Sequence, residues 1–226
     1  LSTGFDVSTA SFVDSFSVNA QDTYPIGIAF NNDGTKMFVT GYIGDDVNEY
    51  TLSTAFDVST ASFVDSFSVA AQERLPSDVT FNNDGTKMFV IGLEGRDINE
   101  YTLSTGFDVS TASFVDSFSV NAQDTYPIGI AFNNDGTKMF VTGYIGDDVN
   151  EYTLSTAFDV STASFVDSFS VAAQETSPRG LAFNNDGTKM FVMGYVGDDV
   201  NEYTLSVGFD LNTNVLPTLS SSVPAD

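Results

Sequence analysis

Apolar and polar residues alternate along this chain with short periods, and the same order of segments returns every 51 residues. Four near-copies of one unit occupy residues 1–51, 52–102, 103–153 and 154–204, and the first and third copies are identical. A fifth copy begins at Leu205 and soon loses the pattern. A repeat of this length indicates one supersecondary module that stacks on its neighbours to bury its apolar face.

Each unit predicts four strands and shows no helical periodicity. The first strand is apolar on both sides, an Asn-Asn-Asp-Gly turn leads into the second, and the third and fourth are more polar. In a regular fourth strand Asp65 shares a face with Phe63 and Phe67, unless a β-bulge shifts the register. In the first unit and the connection after it, the four strands are expected at 25–30, 36–42, 47–52 and 62–69.

Four antiparallel strands per unit, joined by short turns, predict an all-β fold: a β-propeller of four four-stranded blades. The chain begins with an outer strand at 11–18, and its last strand set ends near Leu205 without an outer strand. We therefore expect the N-terminal strand to complete the last blade and close the ring. A homodimer with an eight-bladed ring is the alternative to this closed monomer. The propeller should span 1–209, and 210–226 should be a linker or the start of a following domain.

The first two strands of every unit carry the phrase Phe-Asn-Asn-Asp-Gly-Thr-Lys-Met-Phe-Val, which begins at Phe30 in the first unit. This phrase resembles the core of YVTN-type β-propeller repeats, which are similar to lactonase-like and NHL-like propellers. The resemblance implies the propeller fold, but the catalytic or metal residues of lactonase-like enzymes cannot be mapped onto this sequence. The tail at 215–226 resembles the start of bacterial Ig-like domains, which implies a large secreted or surface protein.

Composition narrows the possible functions. The sequence has 31 acidic and 7 basic residues, a formal net charge of −24. Such a surface repels phosphate backbones and anionic headgroups, so nucleic-acid binding is not expected. No apolar run is long enough for membrane insertion. Because Cys and His are both absent, the usual nucleophile and base pairs are missing, and we expect a protein that is not an enzyme.

The units differ mainly in two windows, which are 22–29 and 40–46 in the first unit. These windows are the fourth-to-first and second-to-third connections, and both emerge on the same face of a four-stranded meander. Loops on a rigid scaffold commonly carry binding residues. We therefore hypothesise a ligand or partner surface there, with neutral drift in exposed loops as the alternative. Its candidate residues are Tyr24, Tyr42, Arg74, Asp78, Arg96, Tyr126, Tyr144, Arg179 and Tyr195.

Adjacent carboxylates at the second-to-third turns suggest a weaker hypothesis, calcium binding through oxygen ligands. Their spacing does not match an EF-hand loop, and such acids more often bond the backbone of their own turn. Apart from calcium, no cofactor is expected. The acids concerned are Asp45, Asp46, Asp147, Asp148, Asp198 and Asp199.

These observations predict a non-catalytic binding or scaffold module of a secreted or surface-attached bacterial protein. Tyrosine-bearing loops on an acidic rim suit glycans, because aromatic faces stack on sugar rings while carboxylates accept hydroxyl protons. A purely structural spacer ring between adhesive domains is the first alternative. A lactonase-like hydrolase is the second.

Overall fold

The computed structural model describes residues 11–212, which form antiparallel strands joined by short turns. The strands are β1 (Pro25–Phe30), β2 (Lys36–Gly41), β3 (Asp46–Leu52), β4 (Ala61–Ser68), β5 (Pro76–Phe81), β6 (Lys87–Gly92), β7 (Asp97–Leu103), β8 (Ala112–Ser119), β9 (Pro127–Phe132), β10 (Lys138–Gly143), β11 (Asp148–Leu154), β12 (Ala163–Ser170), β13 (Pro178–Phe183), β14 (Lys189–Gly194) and β15 (Val200–Thr204). Short 3₁₀ turns precede β4, β8 and β12.

The strands make four sheets, which stand around a central channel as the blades of a β-propeller. Blades 1, 2 and 3 are four-stranded meanders, β1 to β4, β5 to β8 and β9 to β12, and blade 4 contains β13 to β15. The innermost strands of consecutive blades touch: β1 contacts β5, β5 contacts β9, and β9 contacts β13. The predicted all-β propeller with four blades is thus confirmed. Within residues 11–212, no helix has the length and apolarity needed to span a bilayer.

The Asn-Asn-Asp-Gly turn closes the first hairpin of every blade for a local reason. In blade 1, Gly34 has φ +69°, which glycine adopts without steric cost. Asp33 accepts hydrogen bonds from the Thr35 N–H at 3.0 Å and from the Thr35 hydroxyl, and these bonds lower the pKa of Asp33. The ring of Phe56 lies where a Cβ on Gly34 would be, so the turn and the third-to-fourth connection pack together on one face.

The fourth strand of blade 1 contains a β-bulge. Glu49 pairs with Asp65, whereas the next residue, Tyr50, pairs with Phe63. The register therefore shifts at Val64, so of the two arrangements left open by the sequence, a regular strand and a β-bulge, the bulge is the one observed. Asp65 lies exposed on the outermost strand, where a carboxylate keeps its hydration.

The hydrophobic core lies between the blades. Blades 1, 2 and 3 each pack their trailing face on the leading face of the blade that follows. Between blades 2 and 3, the trailing face consists of Phe89, Ile91, Ile98 and Val120, and the leading face consists of Ile130, Met139, Val141, Tyr152, Leu154 and Val160. Equivalent residues join blade 1 to blade 2 and blade 3 to blade 4.

The last blade differs from the prediction. Among the described residues, β15 pairs only with β14, and segment 11–18 forms no strand. Phe16 lies edge-on against Tyr50 of blade 1, with ring centroids 5.8 Å apart, but its segment makes no strand ladder with β15. The physical reason is that β13 makes no contact with β1 comparable to those between the other innermost strands. Of the predicted linker at 210–226, all but the first three residues lie outside the described part.

Candidate functional site

A buried carboxylate holds together the two variable loops of each blade. In blade 2, Glu73 Oε1 accepts hydrogen bonds from the backbone N–H groups of Leu75 at 2.7 Å and Glu94 at 3.1 Å. Its Oε2 accepts another from the N–H of Gly95 at 2.9 Å. Glu73 is fully buried, so this carboxylate is a fixed part of the scaffold. A Cβ at Gly92 would lie 2.3 Å from Glu73 Cγ, which explains the glycine that ends β6.

The other blades repeat this arrangement with Asp22, Asp124 and Glu175. Burial acts to raise the pKa of Glu175, but the backbone N–H donors of Gly197, Val196 and Ser177 outweigh it and hold the pKa below its usual range. These four acids were missed as functional residues. The sequence does contain a signal for them: an acidic residue opens the first variable window of all four units, although the residues after it differ between units.

The carboxylates position two tyrosine pairs, one on blade 1 and one on blade 3. The rings of Tyr24 and Tyr42 are stacked, with centroids 5.4 Å apart and an interplanar angle of 10°. Tyr126 and Tyr144 repeat the pair at 5.6 Å and 56°. Both pairs join a fourth-to-first loop to a second-to-third loop, so the predicted placement of these two connections on one face is confirmed.

Arg179, near the start of β13, approaches the tyrosines from blade 4. Its guanidinium carbon lies 4.6 Å from the ring centroid of Tyr195 and 6.0 Å from that of Tyr144. Burial raises the pKa of Tyr42 to about 12, and the neighbouring Tyr126 adds to this effect whereas the Arg179 cation opposes it. Side chains of blades 1, 3 and 4 therefore converge at one mouth of the channel. We call this group the tyrosine–arginine cluster: Tyr24, Tyr42, Tyr126, Tyr144, Tyr195 and Arg179.

One buried polar atom in the cluster lacks a hydrogen-bond partner. The Nε of Arg179 is buried and has no hydrogen-bond partner among the described residues. A buried donor without an acceptor costs about 1–3 kcal/mol. An acceptor oxygen placed at this position would remove that cost.

Asp78 has a different position from the one predicted. It lies on β5 inside the channel, not on the loop face, and lines a cavity of about 480 Å³ together with Arg179. Its Oδ1 accepts from Val79 N at 2.9 Å and its Oδ2 from Ile130 N at 3.0 Å, which links blade 2 to blade 3. Burial raises the pKa of Asp78 to about 7, against the opposing effect of the two backbone hydrogen bonds.

Arg74 and Arg96 are exposed and lie outside the cluster. Arg96 has φ +54° and donates from Nη1 to Asn121 Oδ1 at 3.2 Å. In the described part of the chain, neither arginine has a hydrogen bond, ion pair or ring contact with the cluster tyrosines. The structure therefore brings six of the nine candidates together, with Asp78 in the adjoining channel.

The paired acids of the second-to-third turns act as turn residues. Asp45, Asp147 and Asp198 have φ values of 51°, 51° and 54°. Asp148 accepts from Asn150 Nδ2 at 2.8 Å, and burial raises its pKa to about 6. In residues 11–212, no three acidic side chains form a group that could hold a metal ion. The calcium hypothesis gains no support from this geometry.

Comparison with known proteins shows the fold but no family. No family model matches the sequence, and no curated protein matches it significantly. A candidate 6-phosphogluconolactonase from Bacteroides uniformis superposes with a TM-score of 0.57 at 12% identity, over 80% of this chain and 50% of that one. The periplasmic gluconolactonase of Pseudomonas aeruginosa gives 0.53 at 16% identity, over 80% and 49%. A chain of a nidogen/laminin complex gives 0.55 at 13% identity, over 80% and 60%. The chain thus spans about half the length of the gluconolactonase structures that it resembles.

Proposed function

We propose that this chain is a non-catalytic binding module that holds a neutral glycan on the tyrosine–arginine cluster. The observation that carries the proposal is the guanidinium of Arg179, which lies over Tyr195 with its buried Nε unpartnered. The site needs a ligand that offers an oxygen acceptor beside a surface that packs on aromatic rings. Sugars combine these two properties, because their C–H faces stack on aromatic rings and their hydroxyl oxygens accept hydrogen bonds.

The charge of the protein favours a neutral glycan over an acidic one. The formal net charge of −24 repels polyanions at long range, and Arg179 is the single cation of the cluster. The carboxylates of Asp22, Asp124 and Glu175 support the loops by accepting backbone hydrogen bonds. The site is therefore largely rigid before the ligand arrives, which lowers the entropic cost of binding.

The proposal includes a secreted or surface location in a bacterium. One structural neighbour is named as a periplasmic gluconolactonase, so a similar propeller occurs outside the cytoplasm. A scaffold role for the rest of the propeller is compatible with a bound glycan. A spacer ring without any ligand is the competing function, and the same experiment decides between them.

A glycan array followed by calorimetric titration of the best neutral glycan tests this proposal. The test variant is Arg179→Ile, because isoleucine already stands at the equivalent positions Ile26 and Ile128. We expect affinity to fall at least about tenfold, the change that corresponds to about 1.4 kcal/mol. The matched control, Arg74→Ile, removes an exposed arginine outside the cluster and should bind like the unmodified chain. Absence of any glycan binding, or equal binding by Arg179→Ile, overturns the proposal.

A lactone hydrolase is the second candidate, and one observation favours it. Asp78 lies in the channel with a pKa of about 7, in the range of a general base. Both of its oxygens accept backbone hydrogen bonds, however, which favours a structural role. Assays of lactone hydrolysis with added divalent metals should show no turnover. Turnover that disappears in Asp78→Gly, the residue found at Gly27 and Gly129, would establish the hydrolase instead.

A further inference from the structure

The three interfaces between blades share a polar network. In blade 1, Lys36 Nζ pairs with Glu49 Oε1 at 2.7 Å and donates to the carbonyl oxygen of Phe107 in blade 2. Glu49 Oε2 accepts from the N–H of Val109 at 3.0 Å, also in blade 2. The network recurs at the next two interfaces through Lys87, Glu100, Phe158 and Val160, and through Lys138, Glu151, Phe209 and Leu211.

Blade 4 carries the first half of a fourth network. Lys189 Nζ pairs with Glu202 Oε1 at 2.6 Å, but the Glu202 side chain is 32% exposed, against 3% for Glu100. The groups equivalent to the Phe107 carbonyl and the Val109 N–H are the carbonyl of Phe56 and the N–H of Val58, which lie on blade 1. In the described residues, neither group makes the interblade bond that Phe107 and Val109 make.

A ladder of asparagine hydrogen bonds likewise joins the three interfaces between blades and leaves its two ends on blades 4 and 1. The side chain of Asn83 donates to the Asn134 carbonyl at 2.7 Å, and Asn134 donates to the Asn185 carbonyl at 2.6 Å. Asn32 also donates to the Asn83 carbonyl. The ladder thus ends with Asn185 on blade 4 and begins with the carbonyl of Asn32 on blade 1.

Apolar side chains are exposed at both ends of the blade array. On the trailing face of blade 4, Val200 is 45% exposed, whereas its counterpart Ile98 is fully buried. On the leading face of blade 1, Ile28 is 56% exposed, whereas its counterpart Ile130 is 3% exposed. The rest of this face, Met37, Val39, Tyr50 and Leu52, is buried with Phe16 and Val18 packed against it. A cavity of about 230 Å³ lies beside Ile28, lined mainly by apolar residues including Phe16, Met37 and Val39.

These two faces match an interface that the chain already contains. Units one and three are identical, so the leading face of blade 1 has the residues of the leading face of blade 3, which packs on blade 2. The trailing face of blade 4 carries Phe191, Met193 and Val200 where blade 2 carries Phe89, Ile91 and Ile98.

Symmetry decides how the two faces meet. Three equivalent interfaces turn the chain by three similar rotations, and after them β13 and β1 still lack the extensive contact that joins β1 to β5, β5 to β9 and β9 to β13. A ring built with this rotation needs more than four blades, and copies of this chain add blades four at a time. The smallest ring of this kind has eight blades and a two-fold axis.

We propose that two copies of this chain join head to tail into an eight-bladed ring, with blade 4 of each copy packed on blade 1 of the other. Segment 11–18 supplies the outer strand that blade 4 lacks. It already lies where that strand belongs, because Phe16 meets Tyr50 edge-on as Phe67 meets Tyr101. The pairing of β3 with β4 gives the register, with Ser15 opposite Asn201 as Ser66 is opposite Asn48.

Light scattering on the 226-residue chain at micromolar concentration tests the proposal. We expect twice the chain mass of 24.2 kDa. Val200→Glu and Ile28→Glu should each give the single-chain mass with an unchanged circular dichroism spectrum. The control is Ile43→Glu, because Glu94 occupies the equivalent position in blade 2 and this side chain is exposed in every blade. This variant should keep the doubled mass. A single-chain mass for the unmodified protein overturns the proposal.

A crosslink distinguishes two copies from one closed chain. The sequence has no cysteine, so the double variant Ser15→Cys with Asn201→Cys introduces the only thiols. After mild oxidation, a covalent dimer on a non-reducing gel supports pairing between copies. A crosslink within one chain shows a four-bladed closed monomer and overturns the proposal, as does a ladder of larger species.

Discussion

Glu73 offers the sharpest test of how the variable loops are held. Its carboxylate accepts three backbone N–H groups at 2.7, 3.1 and 2.9 Å. In Glu73→Gln, one oxygen becomes an NH₂ group that faces an N–H donor, so at least one charge-assisted bond is lost. A hydrogen bond to a charged group contributes about 1.5–3 kcal/mol, and the donor left behind adds to the cost. We expect the free energy of unfolding to fall by about 2–3 kcal/mol.

Urea unfolding followed by circular dichroism measures this loss. A thermal scan should show a drop of about 5–10 °C, since each kcal/mol shifts the midpoint by about 2–4 °C in a protein of this size. The matched control is Glu94→Gln in the same loop, because its side chain is exposed, and it should stay within about 0.5 kcal/mol of the unmodified chain. If Glu73→Gln is as stable as Glu94→Gln, the carboxylate does not hold the loops.

Three further predictions follow from single residues. Gly136→Ala should lower the urea midpoint strongly, since Gly136 has φ +72° and a Cβ would lie 2.2 Å from the Phe158 ring; Gly106→Ala, which copies Ala157, should be tolerated. Because burial raises the pKa of Asp78 to about 7, its stabilising contribution is present below its unfolded pKa and is lost as pH rises. The stability of the unmodified chain relative to Asp78→Gly should therefore fall between about pH 4 and 7, and a constant difference would contradict the assignment. The lowered pKa of Glu175 has the opposite sign: its contribution is present above the unfolded pKa and disappears in acid, so Glu175→Gln should flatten the acid limb of the stability curve.

The strands were predictable because the same pattern of apolar and polar residues recurs in four units. The expected bounds agree with β1 to β4 within one or two residues. The bulge beside Asp65 was one of two arrangements allowed by a carboxylate that strict alternation would place beside two phenylalanines. The shared face of the variable loops followed from the meander alone. Local periodicity and connectivity contain this information.

The rest depends on relations between blades, which periodicity does not encode. The cluster around Arg179 forms because residues of blades 1, 3 and 4 converge at the channel, and no single unit contains it. The closure of the last blade was expected from counting strands, but closure also requires a rotation between blades. That rotation depends on close packing such as Gly27, where a Cβ would lie 2.7 Å from the Cα of Asp78 in the next blade. Asp57, which caps the 3₁₀ turn Val58–Thr60, was likewise missed.

The identical first and third units have a consequence for refolding from denaturant. The trailing face of blade 2 cannot chemically distinguish its own neighbour from blade 1 of another chain, since both present the same side chains. Only the covalent tether favours the correct partner, through the high local concentration that it imposes. Kinetic trapping by exchange of blades between chains should therefore grow with protein concentration, and slow dilution should give the best yield.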